Sequence, residues 1–264
     1  MEIQGLQKMT LLDYPGKVAC TVFLGGCDFR CPFCHNGELV LSPALAEMNQ
    51  EELLAFLKKR QGLLDGVCIT GGEPLLRPDL PQLLEAVKAL GYPVKLDTNG
   101  SHPRALVDLV ERKLVDYVAM DVKNSPERYQ ETVGVPGLDV GPIRESVGFL
   151  LEGLVDYEFR TTVVRELHDE DSFRAIGPWL AGAKRYFLQS FVDRDTVIQE
   201  GLHPWDRDHL QEFAALVSMR MPNVSAVAIA LVIGIPFSKK YWAMIVEHAP
   251  ISGRISEKRY SYFS

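Results

Sequence analysis

Six short runs rich in β-branched and aromatic residues, at 18–24, 67–70, 94–97, 117–121, 157–164 and 186–190, alternate with longer amphipathic stretches. The amphipathic stretches are 50–59, 79–90, 103–112, 142–151, 171–180 and 207–220. Within 79–90, Leu80, Leu83, Leu84, Val87 and Leu90 recur on one helical face, and Gly91 supplies a stop. Strand followed by helix, repeated, implies βαβ units and a parallel sheet, either a closed or partial barrel or an open doubly wound sheet. In both arrangements chemistry gathers at the C-terminal ends of the strands.

Those strand ends are polar. The first run leads into Gly25-Gly26-Cys27-Asp28-Phe29-Arg30-Cys31-Pro32-Phe33-Cys34-His35-Asn36, and the second into Gly71-Gly72-Glu73-Pro74. The third ends in Asp97-Thr98-Asn99-Gly100 and the fourth in Asp121-Val122-Lys123. Four successive strands thus bring polar or glycine-rich segments to one face.

Cys27, Cys31 and Cys34 stand at C-x3-C-x2-C spacing. Thiolates are soft ligands that suit zinc or iron–sulfur clusters. A structural zinc site favours paired C-x2-C knuckles, and no second pair is present. His35 directly follows Cys34, and adjacent side chains project in different directions, so it is a poor fourth ligand. A cubane of four irons and four sulfides on three thiolates leaves one iron without a protein ligand. Such an open position is where a substrate or cofactor binds a metal.

The cysteine spacing, the aromatic Phe33 before the last cysteine, and Gly71-Gly72-Glu73 after the second strand together resemble the radical S-adenosylmethionine enzymes. The DTNG and D-x-K segments at Asp97 and Asp121 resemble the glycyl-radical-enzyme activases of that group. So do the opening residues 5–40 and the stretch 156–173. The expected fold is accordingly α/β, a partial (β/α)6 TIM-like barrel of parallel strands with outer helices.

The resemblance implies a [4Fe-4S] cluster held by Cys27, Cys31 and Cys34, with S-adenosylmethionine on the open iron. One-electron cleavage then yields methionine and a 5′-deoxyadenosyl radical that abstracts a hydrogen atom. Phe33 and His35 are the implied adenine neighbours. Gly71, Gly72 and Glu73 are the implied partners of the methionyl ammonium, and Asp97, Asp121 and Lys123 the remaining cofactor-side residues. Some members also hold a monovalent cation beside such aspartates. The implied substrate is a glycine Cα–H on a large glycyl radical enzyme, with anaerobic ribonucleoside-triphosphate reductase the nearest match and flavodoxin or ferredoxin as electron donor. A small-molecule substrate on the same fold, and a non-catalytic zinc or cluster-binding module, are the alternatives.

The rest of the chain constrains partners and location. Only Cys20 and Cys68 remain among five cysteines; both fall in strands as buried thiols, leaving no ligands for a second cluster. A formal charge of −7 argues against nucleic acid, which requires a basic face. The apolar run 226–235 is too short to span a bilayer as a helix, so no membrane partner is expected. The N-terminus lacks the pattern of a signal peptide, which makes a cytoplasmic location the expectation. The resemblance covers a domain at 1–224, followed by an atypical tail at 225–264. His168, at the start of a helical stretch, is expected on the surface.

Overall fold

The structure is a computed structural model that describes residues 1–41, 46–220, 226–234 and 242–248. Its elements are β1 (Glu2–Ile3), β2 (Gly5–Thr10), β3 (Ala19–Leu24), α1 (Gly37–Leu41), β4 (Met48–Asn49), α2 (Gln50–Lys59) and β5 (Gly66–Gly71). There follow α3 (Leu80–Ala89), β6 (Val94–Thr98), α4 (Pro103–Glu111), β7 (Tyr117–Asp121), α5 (Tyr129–Val133), α6 (Gly141–Leu151) and β8 (Asp156–Val163). The chain continues through α7 (Glu170–Trp179), β9 (Arg185–Ser190), α8 (Arg207–Arg220), β10 (Ala226–Gly234) and β11 (Trp242–His248).

The main sheet runs β2-β3-β5-β6-β7-β8-β9-β10-β11. The strands from β3 to β10 are mutually parallel; β2 and β11 add antiparallel edges. β1 pairs with β4 in a separate two-stranded ribbon. The expected mixed α/β barrel of parallel strands is therefore present, with an antiparallel strand ahead of the first predicted one. Of the tail, the backbone strands β10 and β11 are described, and the remainder of 225–264 lies outside the described residues.

Side chains alternate across the sheet with period two. One set, including Cys20, Val22, Leu24, Val67, Ile69, Val94, Leu96, Val118, Met120 and Phe159, joins the large apolar core under the helices. Leu83, Leu84 and Val87 of α3, Leu106 and Leu109 of α4, and Ile143 and Leu150 of α6 meet it from outside. Each such fully buried side chain contributes about 1.5–3 kcal/mol. The other set faces the barrel interior and is largely polar: Thr21, Lys95, Asp97, Asp121, Glu158, Arg160 and Thr162. Filled barrels stack branched apolar residues in that space; here it is kept for chemistry.

Helix starts follow local capping. Asn49 and Glu52 form a reciprocal capping box at α2, with bonds of 3.0 and 2.8 Å. Asp169 accepts from the Ser172 amide at 3.0 Å and starts α7 one residue earlier than its apolar pattern predicts.

Candidate active site

A cavity of about 220 Å³ lies at the C-terminal ends of the strands. Its walls include all three clustered cysteines, Phe33, His35, Asn36, Gly71, Gly72, Asp97, Asp121 and Lys123. Segments far apart in sequence are thus brought together, as the strand-end pattern predicts.

The cysteine loop leaves β3 and is tied down on both sides. The Arg30 amide donates to the Val133 carbonyl at 2.8 Å, and the Gln199 amide donates to the Pro32 carbonyl at 2.9 Å. His35 stacks on Phe191, with ring centroids 5.4 Å apart, and its Nε2 donates to the Val192 carbonyl at 2.6 Å. Burial keeps the ring neutral, pushing its pKa down to about 4 against the bond to Val192, which favours the protonated form. Burial pushes the Cys27 and Cys31 thiols up to about 12 and raises Cys34. The Lys123 ammonium pulls all three back toward the thiolate. A metal taken up by these thiols would therefore release protons.

The two glycines serve the chain before they serve any ligand. Gly71 has φ +123°, and a Cβ on it would stand 2.2 Å from the Leu24 carbonyl oxygen. A Cβ on Gly72 would stand 1.9 Å from the Gly26 carbonyl oxygen. The end of β5 therefore presses directly on the root of the cysteine loop, which only glycine permits. The Gly72 amide donates to the Leu24 carbonyl at 2.9 Å and the Glu73 amide to the Gly26 carbonyl at 2.8 Å.

Glu73 is placed differently from the other expected site residues. It is fully buried and is not part of the cavity wall. Its carboxylate accepts from the Leu75 amide at 3.0 Å, the Thr98 hydroxyl at 2.9 Å and the Asn99 amide at 2.6 Å. It locks the end of β5 to the end of β6. Asn99, fixed in this way, donates from Nδ2 to Asp28 at 2.9 Å beside Cys27.

The interior strand positions build a charged ladder. Asp97 pairs with Lys95 two residues earlier on the same strand face, and its second oxygen lies 3.5 Å from Arg160. Asp121 sits in register beside Arg160 and accepts from it at 2.9 Å. Its other oxygen accepts from Lys123 at 2.9 Å. Burial opposes ionisation of Asp121, but Arg160 and Lys123 outweigh it and hold the carboxyl at about 2. The same pairs raise Lys95, Lys123 and Arg160, so all three stay charged although Lys95 is buried and the other two are partly buried. Lys95 and Arg160 escape a sequence reading because each interrupts an apolar strand. Period-two alternation was the signal: Lys95 and Asp97 share a face, as do Glu158, Arg160 and Thr162.

His168 is buried, 1% exposed, contrary to its expected surface position. Its Nε2 donates to the Lys123 carbonyl at 2.8 Å, and its Nδ1 accepts from the Val164 amide at 3.1 Å. Its ring stacks on Phe173 and meets the edge of Phe33. It thereby positions the backbone of Lys123, whose amide donates to Tyr129 Oη at 3.1 Å. Burial pushes its pKa down to about 4 from an ordinary 6.5. Between those values the unfolded chain binds more protons, so stability is full above pH 6.5 and falls as pH drops toward 4. The loss expected from His168 is about 3 kcal/mol. Urea unfolding at pH 7 and 4.5 checks this: the His168→Gln variant should show a shallower pH dependence than the native chain.

The residues fit a cubane cluster with S-adenosylmethionine. Three soft donors open on one cavity. Asn36 Oδ1 is buried with no hydrogen-bond partner among the described residues, while Asn36 Nδ2 donates to the Gly71 carbonyl at 2.9 Å. An acceptor left in this state suits a donor on a bound group. Among the described residues no three His, Cys, Asp or Glu side chains are grouped around one ion position; a cubane gives each thiolate its own iron. A monovalent cation between Asp97 and Asp121 fits less well, because all four carboxylate oxygens already face side-chain cations.

A sequence model of the radical SAM superfamily matches residues 21–171. A Methanocaldococcus jannaschii protein whose name places it among glycyl-radical enzyme activating enzymes is 33% identical over 205 residues, covering 75% of this chain and 83% of that relative. The pyruvate formate-lyase-activating enzyme of Clostridium pasteurianum is 33% identical over 127 residues, 46% of this chain and 52% of that one. Among solved structures, Streptococcus suis SuiB is similar in fold, with TM-score 0.62 at 15% identity over 80% of this chain and 48% of SuiB. Among the described residues, no helix is long and apolar enough to cross a membrane.

Proposed function

This chain belongs to the radical SAM superfamily, and from that membership we propose that it is an activase that generates a glycyl radical on a partner enzyme, with anaerobic ribonucleoside-triphosphate reductase the favoured partner. The observation that carries the reading is the 33% identity to a relative named for glycyl-radical enzyme activation, spread over three quarters of this chain.

In this reading Cys27, Cys31 and Cys34 hold the [4Fe-4S] cluster as thiolates. When bound, the cluster and S-adenosylmethionine supply an electron and the precursor of a hydrogen-abstracting group; orientation and shielding are the protein's share. Lys123, fixed from behind by His168 and Tyr129, offers its ammonium to the methionyl carboxylate. Asn36 Oδ1 offers an acceptor to the methionyl ammonium. Phe33 and His35 wall the adenine side. Glu73 acts indirectly, by fixing Thr98 and Asn99. Thr162, Gln189 and Ser190 bring uncharged polar groups to the cavity wall, suited to the amides flanking a glycine. A backbone radical at glycine is delocalised and unhindered by a side chain, which explains a glycine target. Flavodoxin or ferredoxin is the electron donor in this proposal.

The test is anaerobic reconstitution, followed by mixing with S-adenosylmethionine, reductant and anaerobic ribonucleotide reductase. A glycyl radical seen by electron paramagnetic resonance is the expected result. Cleavage of S-adenosylmethionine without a radical on any glycyl radical enzyme of the same organism would instead assign a small-molecule substrate.

A further inference from the structure

We propose that Lys95 and Arg160 act as a built-in replacement for a bound monovalent cation, so that the pair Asp97–Asp121 needs no metal ion in this protein. Activases of the kind this chain resembles include members with a monovalent cation beside the corresponding aspartates. Here the four carboxylate oxygens are each taken. Asp97 Oδ1 faces Lys95 Nζ and Asp97 Oδ2 faces Arg160, at 3.5 Å. Asp121 Oδ1 faces Arg160 at 2.9 Å and Asp121 Oδ2 faces Lys123 at 2.9 Å. Lys95 has a side-chain exposure of 2% and Arg160 of 12%, so these cations are held inside the barrel rather than lent from the surface.

Geometry explains why the replacement persists. Lys95 and Asp97 are two apart on one strand, so their side chains share the interior face. Arg160 lies directly beside Asp121 in the parallel register and can span to Asp97. The guanidinium is a planar fork that serves two carboxylates at once. An ion entering from solvent would have to displace a tethered ammonium or guanidinium, while losing its own hydration in a low-dielectric space. The remaining acids on the interior are bound by hydroxyls: Asp13 accepts from Thr21 at 2.5 Å, and Glu158 from Tyr117 at 2.6 Å.

Lys95 is the residue that distinguishes the two designs. Removing its charge leaves Asp97 Oδ1 open toward the cavity and recreates a cation site. The experiment compares full-length native chain with Lys95→Met and Lys95→Arg, at equal ionic strength in potassium, sodium and choline chloride. Thermal midpoints are read together with direct thallium(I) binding by NMR. The native chain and Lys95→Arg should show the same midpoint in all three salts and no stoichiometric thallium binding. Lys95→Met should melt roughly 10 °C lower in choline, with part of the loss restored specifically by potassium or sodium. Stoichiometric thallium binding by the native chain, or a midpoint that depends on which cation is present, would overturn the proposal. So would a folded Lys95→Met that responds identically to all three salts. If Lys95→Met does not fold, the native-chain measurements alone decide. No step of the test uses a glycyl radical enzyme, so its outcome is separate from that of the activase reading.

Discussion

Alanine at any one of Cys27, Cys31 or Cys34 is expected to abolish cluster assembly and to reduce S-adenosylmethionine cleavage to background. All three thiols open on the one cavity at the strand ends, and a cubane held by only two would lose both its anchorage and its unique open iron. The contrast is with Cys20→Ala and Cys68→Ala, whose thiols are free and fully buried away from the loop. Cys20 belongs to the core under the helices, and Cys68 lies 3.9 Å from Lys95 on the interior face. Those variants should assemble a full cluster and retain cleavage. Iron and sulfide content, the visible absorption of the reconstituted protein and 5′-deoxyadenosine yield measure all five variants. A requirement for Cys20 or Cys68 in cluster binding would refute the ligand set.

The second large effect is on the fold itself. Arg160→Met is expected to destabilise the protein by about 3 kcal/mol, because it leaves each of two partly buried carboxylates with one cation in place of two. Arg160 bridges Asp97 and Asp121, so its loss leaves two neighbouring carboxylates with one oxygen each unpaired, faced only by Lys95 and Lys123. The thermal midpoint should fall by roughly 10 °C. Adding Asp121→Asn to Arg160→Met should recover part of the loss, since the repulsion between the two carboxylates goes with it. Urea unfolding of the two single variants and the double variant gives the coupling. Additive effects would show that Arg160 stabilises by packing its stem and not through the carboxylates.

The parallel strands and outer helices were legible because the apolar faces of the helices and the β-branched runs fall at distinct periods. Helix α2 and strand β7 have the very bounds their patterns predict. The grouping of Cys27, Phe33, Gly71, Asp97 and Lys123 was legible because parallel strands all end on one side. What escaped was the inside of the barrel. Lys95, Glu158 and Arg160 each break an apolar run, and a strand read by its hydrophobic residues discounts the polar ones between them. β2 also escaped: Gly5–Thr10 pairs only at one side of the sheet and carries little β-branched character. His168 read as a surface residue because it stands beside an acidic segment, 169–171; its bond to the distant Lys123 carbonyl belongs to tertiary structure alone. Glu73 shows the same limit in reverse. Its motif pointed to a ligand, while its carboxylate is taken up by two amides and a hydroxyl of its own chain.

The closeness of Gly71 to Leu24, and of Gly72 to Gly26, bears on how variants of this protein are to be interpreted. A side chain at either position would wedge the second strand away from the root of the cysteine loop before it touched any small molecule. Loss of activity in such a variant therefore reports a lever moved, not a contact deleted. The same holds for screening natural variation: a glycine pair preserved at this point records how near two stretches of backbone must run, and carries no information about what occupies the space beyond them.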